Sequence, residues 1–381
     1  MQRRTFLSLP TSLSIPTSVA MAAAITDESL PKYKVVSSYS PVAGQGMPGK
    51  YPGKVVAVHS AKSINPATEV VDQTLVREMM RRALTGLTGD TDVRDSWRRF
   101  IDPADVVGIK LNCSGAPKIC SHPVVIGEIV SNLVEVGVKP GNIWLYERFQ
   151  DQVNTVHYEK YVPEGVHVQA ASSLRDTLKG YDPKTYVEVD FFGEEDTRSN
   201  LVRMVSDHFT KIINVPNMKD HGASGVTGCL KNIAYGSWGN VARSHKWEKT
   251  NTFSFIGTLA SAEPIKSRTV LQIMDGLKGI WQGGPFELQH QYAFYPGKIS
   301  VGTDPVALDR ILIDVIEEKR KKEGAHSVWD RRKDILVPRT GQSPDPFANK
   351  FIREPGHIEY ASRLGLGVYD KSKILLESIE L

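Results

Sequence analysis

Short apolar runs separated by polar turns organise this chain. KVVAVH at 54–59 is a β-branched run of strand length. After it, Val71, Leu75, Val76, Met79, Met80 and Leu84 recur at helical spacing across 70–87. The alternation repeats in a strand over 105–111 (DVVGIKL), a helix over 123–136 carrying Ile126, Ile129, Val130 and Leu133, and a strand over 142–146. Further strands are predicted at 166–170, 186–191, 211–215, 270–274 and 298–301. A helix is predicted in VALDRILIDVIEE at 306–318, whose Leu308, Ile311, Leu312, Val315 and Ile316 form an apolar stripe. Strand and helix in alternation predict an α/β fold with a mostly parallel sheet flanked by helices. The many strands and unequal connections point to two lobes, with a ligand crevice at the C-terminal ends of the strands. Periodicity is weakest over 151–200, which reads as an insertion.

The first residues, MQRRTFLSLPTSLSIPTSVAMAAAIT, resemble a twin-arginine export signal: Arg3 and Arg4, then Phe6 and Leu7, a weakly apolar run and small residues. Pro10, Pro16 and several Ser and Thr make the run too polar to span a bilayer stably. Residues 1–24 are therefore read as a signal peptide, 25–50 as a linker or surface arm, and 51–381 as the folded domain. The expected location is periplasmic or otherwise exported. The twin-arginine machinery is then one partner, and because its cargo crosses folded, a cofactor loaded before export becomes an option.

The 381 residues are 40% hydrophobic and 24% charged, which excludes a disordered or fibrous chain. Forty-seven basic against 43 acidic residues give a net charge of +4, too small an excess to imply nucleic acid. The basic run EEKRKKEG at 317–324 suits the C-terminal end of a helix.

Chemistry concentrates in NVPNMKDHGASGVTGCLKNIAYGSWGN at 214–240, which holds five of the 31 glycines. In an open parallel sheet, ligands bind beyond the carboxyl ends of strands. Those ends carry Lys110 and Asn112, then Glu147 and Arg148, then Lys219 and His221. Gly222, Gly225 and Gly228 allow close approach to main-chain N–H groups, and a helix in CLKNIAYG would present Lys231 and Asn232 with its N-terminus toward an anion. This is neither the GxGxxG dinucleotide fingerprint nor a Walker P-loop, so neither NAD nor ATP is indicated. Lys219, His221 and Lys231 could bind a carboxylate or phosphate, with histidine moving a proton, lysine stabilising an oxyanion, or a lysine forming a covalent adduct.

Five stretches, VGIKLN, INVPNMKDHGASGVTGCLKNIAYG, DGLKGIWQGGP, GTDPVALD and HIEYASRLGLG, resemble the family named domain of unknown function 362. Its central pattern is Pro-x-x-Lys-x-His followed by Gly-Val-Thr-Gly-x-x-Lys-Asn. Carried over, the resemblance marks Lys110, Asn112, Lys219, His221, Thr227, Lys231, Asn232 and Asp304. Some members carry a ferredoxin-like iron–sulfur segment. Here Cys113, Cys120 and Cys229 are too few and too scattered for a four-cysteine cluster, and a Cys113–Cys120 bridge is an open alternative. The family is more remotely similar to nickel-pincer lactate racemases, which implies a metal-bearing cofactor as an option.

Asp304 precedes Pro305 as a helix N-cap and could also face the crevice. Cys120, His122, His221, Cys229 and His245 match no zinc spacing. His357 could complete the site or pair locally with Glu359, and Trp238 and Trp281 could wall a pocket. The expected function is an exported enzyme on a small anionic compound. His221, Lys219 and Lys231 would be catalytic; Lys110, Asn112, Gly225, Thr227, Gly228, Asn232 and Asp304 would bind the ligand. Isomerase or lyase chemistry is favoured, and the alternative is a periplasmic binding or accessory protein without turnover.

Overall fold

The apolar runs become strands of one large sheet in the computed structural model, which describes residues 30–172, 179–245, 251–330 and 355–381. The signal peptide read at 1–24 lies outside the described residues. The chain divides into Met1–Leu30 and a compact unit, Pro31–Leu381; the second is described below.

Along this unit the strands are β1 (Lys34–Val36), β2 (Lys54–His59), β3 (Val107–Lys110), β4 (Ile143–Phe149) and β5 (His167–Ser172). Next come β6 (Tyr181–Glu188), β7 (Arg198–Val202), β8 (Lys211–Asn214), β9 (Asn217–His221) and β10 (Gly225–Val226). The last are β11 (Thr269–Ile280), β12 (Ala293–Phe294), β13 (Lys298–Gly302) and β14 (Leu375–Glu380). Across the main sheet the order is β14-β2-β13-β11-β8-β3-β4-β5, with β9, β10 and β12 attached beside β11.

Pairing is parallel from β11 through β8, β3 and β4 to β5, and again between β14 and β2. Only β13 breaks this run, lying antiparallel to both β2 and β11. The β3-to-β4 crossover runs through the helix Pro123–Glu135, the long connection that a parallel pair needs. Every residue of β3 and β11 is buried, as expected for strands covered on both faces.

Two apolar clusters flank the sheet because successive strand residues point to opposite faces. Ile213, Ile109 and Leu145 join Val76, Met80, Ile126 and Ile129 of the helices Gln73–Thr88 and Pro123–Glu135 on one face. Ile212, Tyr146 and Met274 join the helices Gly228–Ser237, Thr252–Ser261, Pro305–Lys322 and Gly356–Arg363 on the other.

Beside the main sheet the unit carries a second, three-stranded antiparallel sheet, β1-β6-β7. Its strands come from the arm and from the stretch of weak periodicity. Val187, Leu201 and Val202 pack it into the second cluster. The strand expected at 186–191 is displaced to β6 and followed by β7. The expected 270–274 strand extends to the twelve residues of β11.

Close packing between layers leaves no room at Gly108, where an added Cβ would lie 2.4 Å from the Phe209 ring. Gly108→Ala is expected to lower the unfolding free energy by roughly 1–3 kcal/mol through overpacking. Urea titration measures it, and an unchanged midpoint would show that the Phe209 ring yields freely.

Candidate functional site

All ten residues of the helix Gly228–Ser237 are buried, yet one of its faces is polar. Thr227, Lys231 and Tyr235 recur every four residues and so form one stripe, with Asn232 and Gly236 beside it. These five residues line a cavity of about 480 Å³. Lys110 from the end of β3, Glu147, Arg148 and Phe149 from the end of β4, and His221 from the end of β9 supply further walls, with His245 and Phe286. The strand ends and the buried helix thus meet at one place.

The floor is a directed chain of hydrogen bonds. Lys110 is fully buried and is held by the Glu147 carboxylate and the Leu111 carbonyl. Asn112 Nδ2 donates to Asn232 Oδ1 (3.1 Å), Asn232 Nδ2 to Asn214 Oδ1 (2.8 Å), and Asn214 Nδ2 to Gln272 Oε1 (2.7 Å) and the Cys229 carbonyl (2.9 Å). Each asparagine donates forward and accepts from behind, which fixes its orientation. Gly236 is required here, since a Cβ would fall 1.8 Å from Lys110 Cε.

Lys219 needs a correction. Its ammonium donates to Asn112 Oδ1 (2.6 Å), the Ile119 carbonyl (2.9 Å) and the Ser114 carbonyl, which uses all three protons. Burial pulls its pKa down to about 8. It does not line the cavity, and it holds the loop after β3 in place.

Asp304 is likewise structural. Its carboxylate accepts from the N–H groups of Gly53, Ala307 and Val368, each at 2.9 Å, tying three segments together away from the cavity. Gly228, at φ 58°, lies against the Asp309 carboxylate, which accepts from Cys229 N (2.5 Å) and Leu230 N (2.9 Å). The helix N-terminus that was expected to receive a ligand anion already holds a protein carboxylate. Gly225, at φ 70°, turns the chain against Pro355 and does not reach the cavity either.

His221 is buried, and its Nδ1 accepts from Ala223 N (3.1 Å), so the neutral ring carries its proton on Nε2. Burial first, then the charge of Lys231, holds its pKa well below the usual histidine value. In this arrangement His221 is placed as a neutral hydrogen-bond donor.

His245 stacks on His221 with centroids 5.4 Å apart. It donates one ring N–H to the Ala242 carbonyl, and its Nε2 has no partner among the described residues. Buried His357, from the helix Gly356–Arg363, feels the Lys231 charge as well and has both ring nitrogens unpartnered. Burial lowers the pKa of each to about 3. No group of three His, Cys, Asp or Glu among the described residues is placed to hold a metal.

Lys231 differs from Lys110 and Lys219. It forms no hydrogen bond or ion pair among the described residues, and its Nζ sits 4.3 Å from the centre of the Tyr235 ring. Burial, reinforced by the Arg148 and Lys219 charges, lowers its pKa to about 7. One turn earlier the Thr227 hydroxyl is also buried without a partner. Arg148 stacks on Phe149 (4.6 Å) and donates Nη1 to the Tyr235 carbonyl (3.0 Å).

Other expected residues lie elsewhere. Cys120 and His122 line a separate cavity of about 210 Å³ with Asn217 and Asp275. The three cysteines are free thiols. Glu359 pairs with Arg363 (2.6 Å). Trp238 donates to the Leu259 carbonyl (3.1 Å) and Trp281 packs edge-on against Tyr292, so neither walls the cavity. The walls are Phe149, Tyr235 and Phe286 instead, which strand and helix periodicity did not mark.

The family described as domain of unknown function (DUF362) matches residues 107–314, more than half of the chain and the part that builds this cavity. The chain belongs to the DUF362 family. A crystal structure of a Thermotoga maritima protein from the Northeast Structural Genomics Consortium is 11% identical over 66% of this chain, at a TM-score of 0.42. The match spans 59% of that protein's chain. No curated protein matches this DUF362 chain significantly.

Two expectations follow from the charges. Glu147→Gln leaves Lys110 buried without its counter-charge and should cost about 3–5 kcal/mol of stability in denaturant titration. Lys231→Met should stabilise the fold by roughly 1–2 kcal/mol. The folded-state pKa of Lys231 is lowered from 10.5 to about 7. Between those values the unfolded chain binds the extra proton, and wild-type stability rises with pH. The advantage of the methionine variant is therefore greatest below pH 7 and fades toward pH 10; a pH-independent difference would contradict the assignment.

Proposed function

We propose that this DUF362 protein is an enzyme that binds a small carboxylate in the cavity at the strand ends and works on the carbon beside that carboxylate, in isomerase or lyase chemistry. One observation carries the reading. Lys231 faces the cavity with no carboxylate partner among the described residues, while Glu147, which also lines it, is taken by Lys110. An anionic ligand supplies the missing counter-charge.

A carboxylate is favoured over a phosphate because the helix N-terminus that would cradle a phosphate holds Asp309, and Phe149, Tyr235 and Phe286 make much of the wall apolar. Arg148 and Lys231 receive the carboxylate. His221 Nε2–H and the Thr227 hydroxyl are donors for an oxyanion or enolate that develops next to it, and the unpartnered Nε2 of His245, on the same cavity, takes the proton that leaves the carbon. Removing one such donor typically lowers turnover about 10²–10³-fold.

The lactate-racemase resemblance would add a metal-bearing cofactor. His245 offers one lone pair backed by an anchored N–H, the arrangement of a metal-bound histidine. His221 does not fit, because its Nδ1 is used by the Ala223 N–H and its Nε2 carries the proton. The donor set is too small, and no step is routed through a metal. Export rests on the twin-arginine pattern of residues 3–7. No described helix is long and apolar enough to cross a membrane.

The test is NMR of solvent deuterium exchange, at the α-carbon of small hydroxy and saturated carboxylates and at C3 of 2-oxo acids, with binding measured by calorimetry. Lys231→Ala should weaken binding at least tenfold. His221→Ala should keep binding and lose exchange by about 10²-fold or more. Full exchange in both variants sinks the site. Binding without exchange in the wild type would identify a binding protein.

A further inference from the structure

We infer that Lys231 acts covalently, its amine condensing with the carbonyl of a 2-oxo acid that bears an apolar tail. The inference rests on the proposed carboxylate site and names its substrate class. A lysine that only binds anions is usually a solvated or hydrogen-bonded ammonium, as Lys219 is here with its three acceptors. Lys231 has no acceptor among the described residues and lies against the Tyr235 ring in a cavity with aromatic walls. Burial without an acceptor or counter-charge favours the neutral amine, which is the nucleophilic form, and outweighs the pull of the Tyr235 face toward the ammonium. The lowered pKa of about 7 agrees with this geometry.

The neighbours suit the step. Arg148 lines the same cavity and receives the carboxylate next to the carbonyl. The Thr227 hydroxyl, four residues earlier on the same helical stripe and without a partner, can donate to the carbonyl oxygen as it leaves. Phe149 and Phe286 take the apolar tail. In the balanced reaction the amine nitrogen bonds to the carbonyl carbon and the C=O bond breaks. The oxygen departs as water with the two amine protons, leaving C=N. The imine then draws electrons from C3, on the side away from the carboxylate, which is the chemistry an isomerase or lyase needs, and hydrolysis restores the lysine. No oxidant or reductant is consumed.

The full chain, incubated with phenylpyruvate and sodium borohydride, should gain one reduced adduct mapped by peptide mass spectrometry to Lys231. The yield should rise severalfold between pH 6 and pH 8 as the amine loses its proton. Phenyllactate, which has the carboxylate and no ketone, should compete. Lys231→Arg should abolish the adduct, with Lys231→Met as a second variant if arginine disturbs folding by circular dichroism. Arg148→Gln should reduce labelling at least tenfold at low phenylpyruvate while leaving Lys231 intact.

Phenyllactate bound without any phenylpyruvate adduct would overturn the imine and leave the carboxylate site standing. Neither bound nor trapped would overturn both. Adducts scattered over surface lysines and unchanged in Lys231→Arg would overturn the assignment to this residue.

Discussion

The buried pair of Lys110 and Glu147 is the constraint around which this site is arranged. The two residues end β3 and its parallel neighbour β4, where Lys110 is in register with Tyr146 and Glu147 follows it. A lysine ammonium without contact to water needs its charge balanced and its protons accepted, or the fold would not keep it charged. Glu147 and the Leu111 carbonyl meet that need, and the lysine stem runs beneath Gly236. The close approach of the helix Gly228–Ser237 to the strand ends follows from this packing. The helix brings Asn232 onto the amide chain and turns Thr227, Lys231 and Tyr235 toward the cavity. Asp309 holds its N-terminus from the other side.

With its carboxylate committed to the floor, the cavity is left with cations and neutral rings. Three histidines within reach of Lys231 stay uncharged because burial and the Lys231 charge both oppose protonation. A neutral imidazole is a weak acid but a good oriented donor, and the backbone N–H of Ala223 decides that His221 offers Nε2–H. The difference between Lys219 and Lys231 has the same origin. Both are buried, but Lys219 meets three oxygens and remains an ammonium within the structure, whereas Lys231 meets an aromatic face. Environment assigns one lysine to architecture and the other to chemistry.

Much of this was legible in the sequence, for stated reasons. The rule that ligands gather at the carboxyl ends of parallel strands singles out Lys110, Asn112, Glu147, Arg148, Lys219 and His221 from the sequence, and all but Lys219 line the cavity. Thr227, Lys231 and Asn232 followed from a short helix after a glycine turn. The expected residues that fall outside the cavity do so for one reason. Lys219, Asp304 and Gly228 have the residue types of a ligand site, but their partners are protein groups distant in sequence. Asp309, eighty residues after Cys229, takes the helix N-terminus, and Gly53 is tied to Asp304. Local pattern cannot distinguish a polar group aimed at a ligand from one aimed at a remote backbone N–H. Nor could it mark Phe149, Tyr235 and Phe286 as walls, since aromatic residues fill cores equally well. The small sheet β1-β6-β7 was obscured because it draws on two separate weakly patterned segments.

The cavity also explains why such a site is tolerated inside a stable fold. An unpaired lysine and an unpaired threonine hydroxyl are unfavourable in a buried position, and a sequence selected for stability alone would replace both with apolar residues. They persist beside a floor in which Lys110, Lys219 and the asparagines are almost fully hydrogen-bonded. The satisfied network holds the strand ends and the helix rigidly enough that the unsatisfied groups cannot relax toward partners of their own. Strain of this kind, confined to one face of one helix and supported from beneath, is the arrangement of a site kept ready for a ligand that completes its hydrogen bonds and its charge.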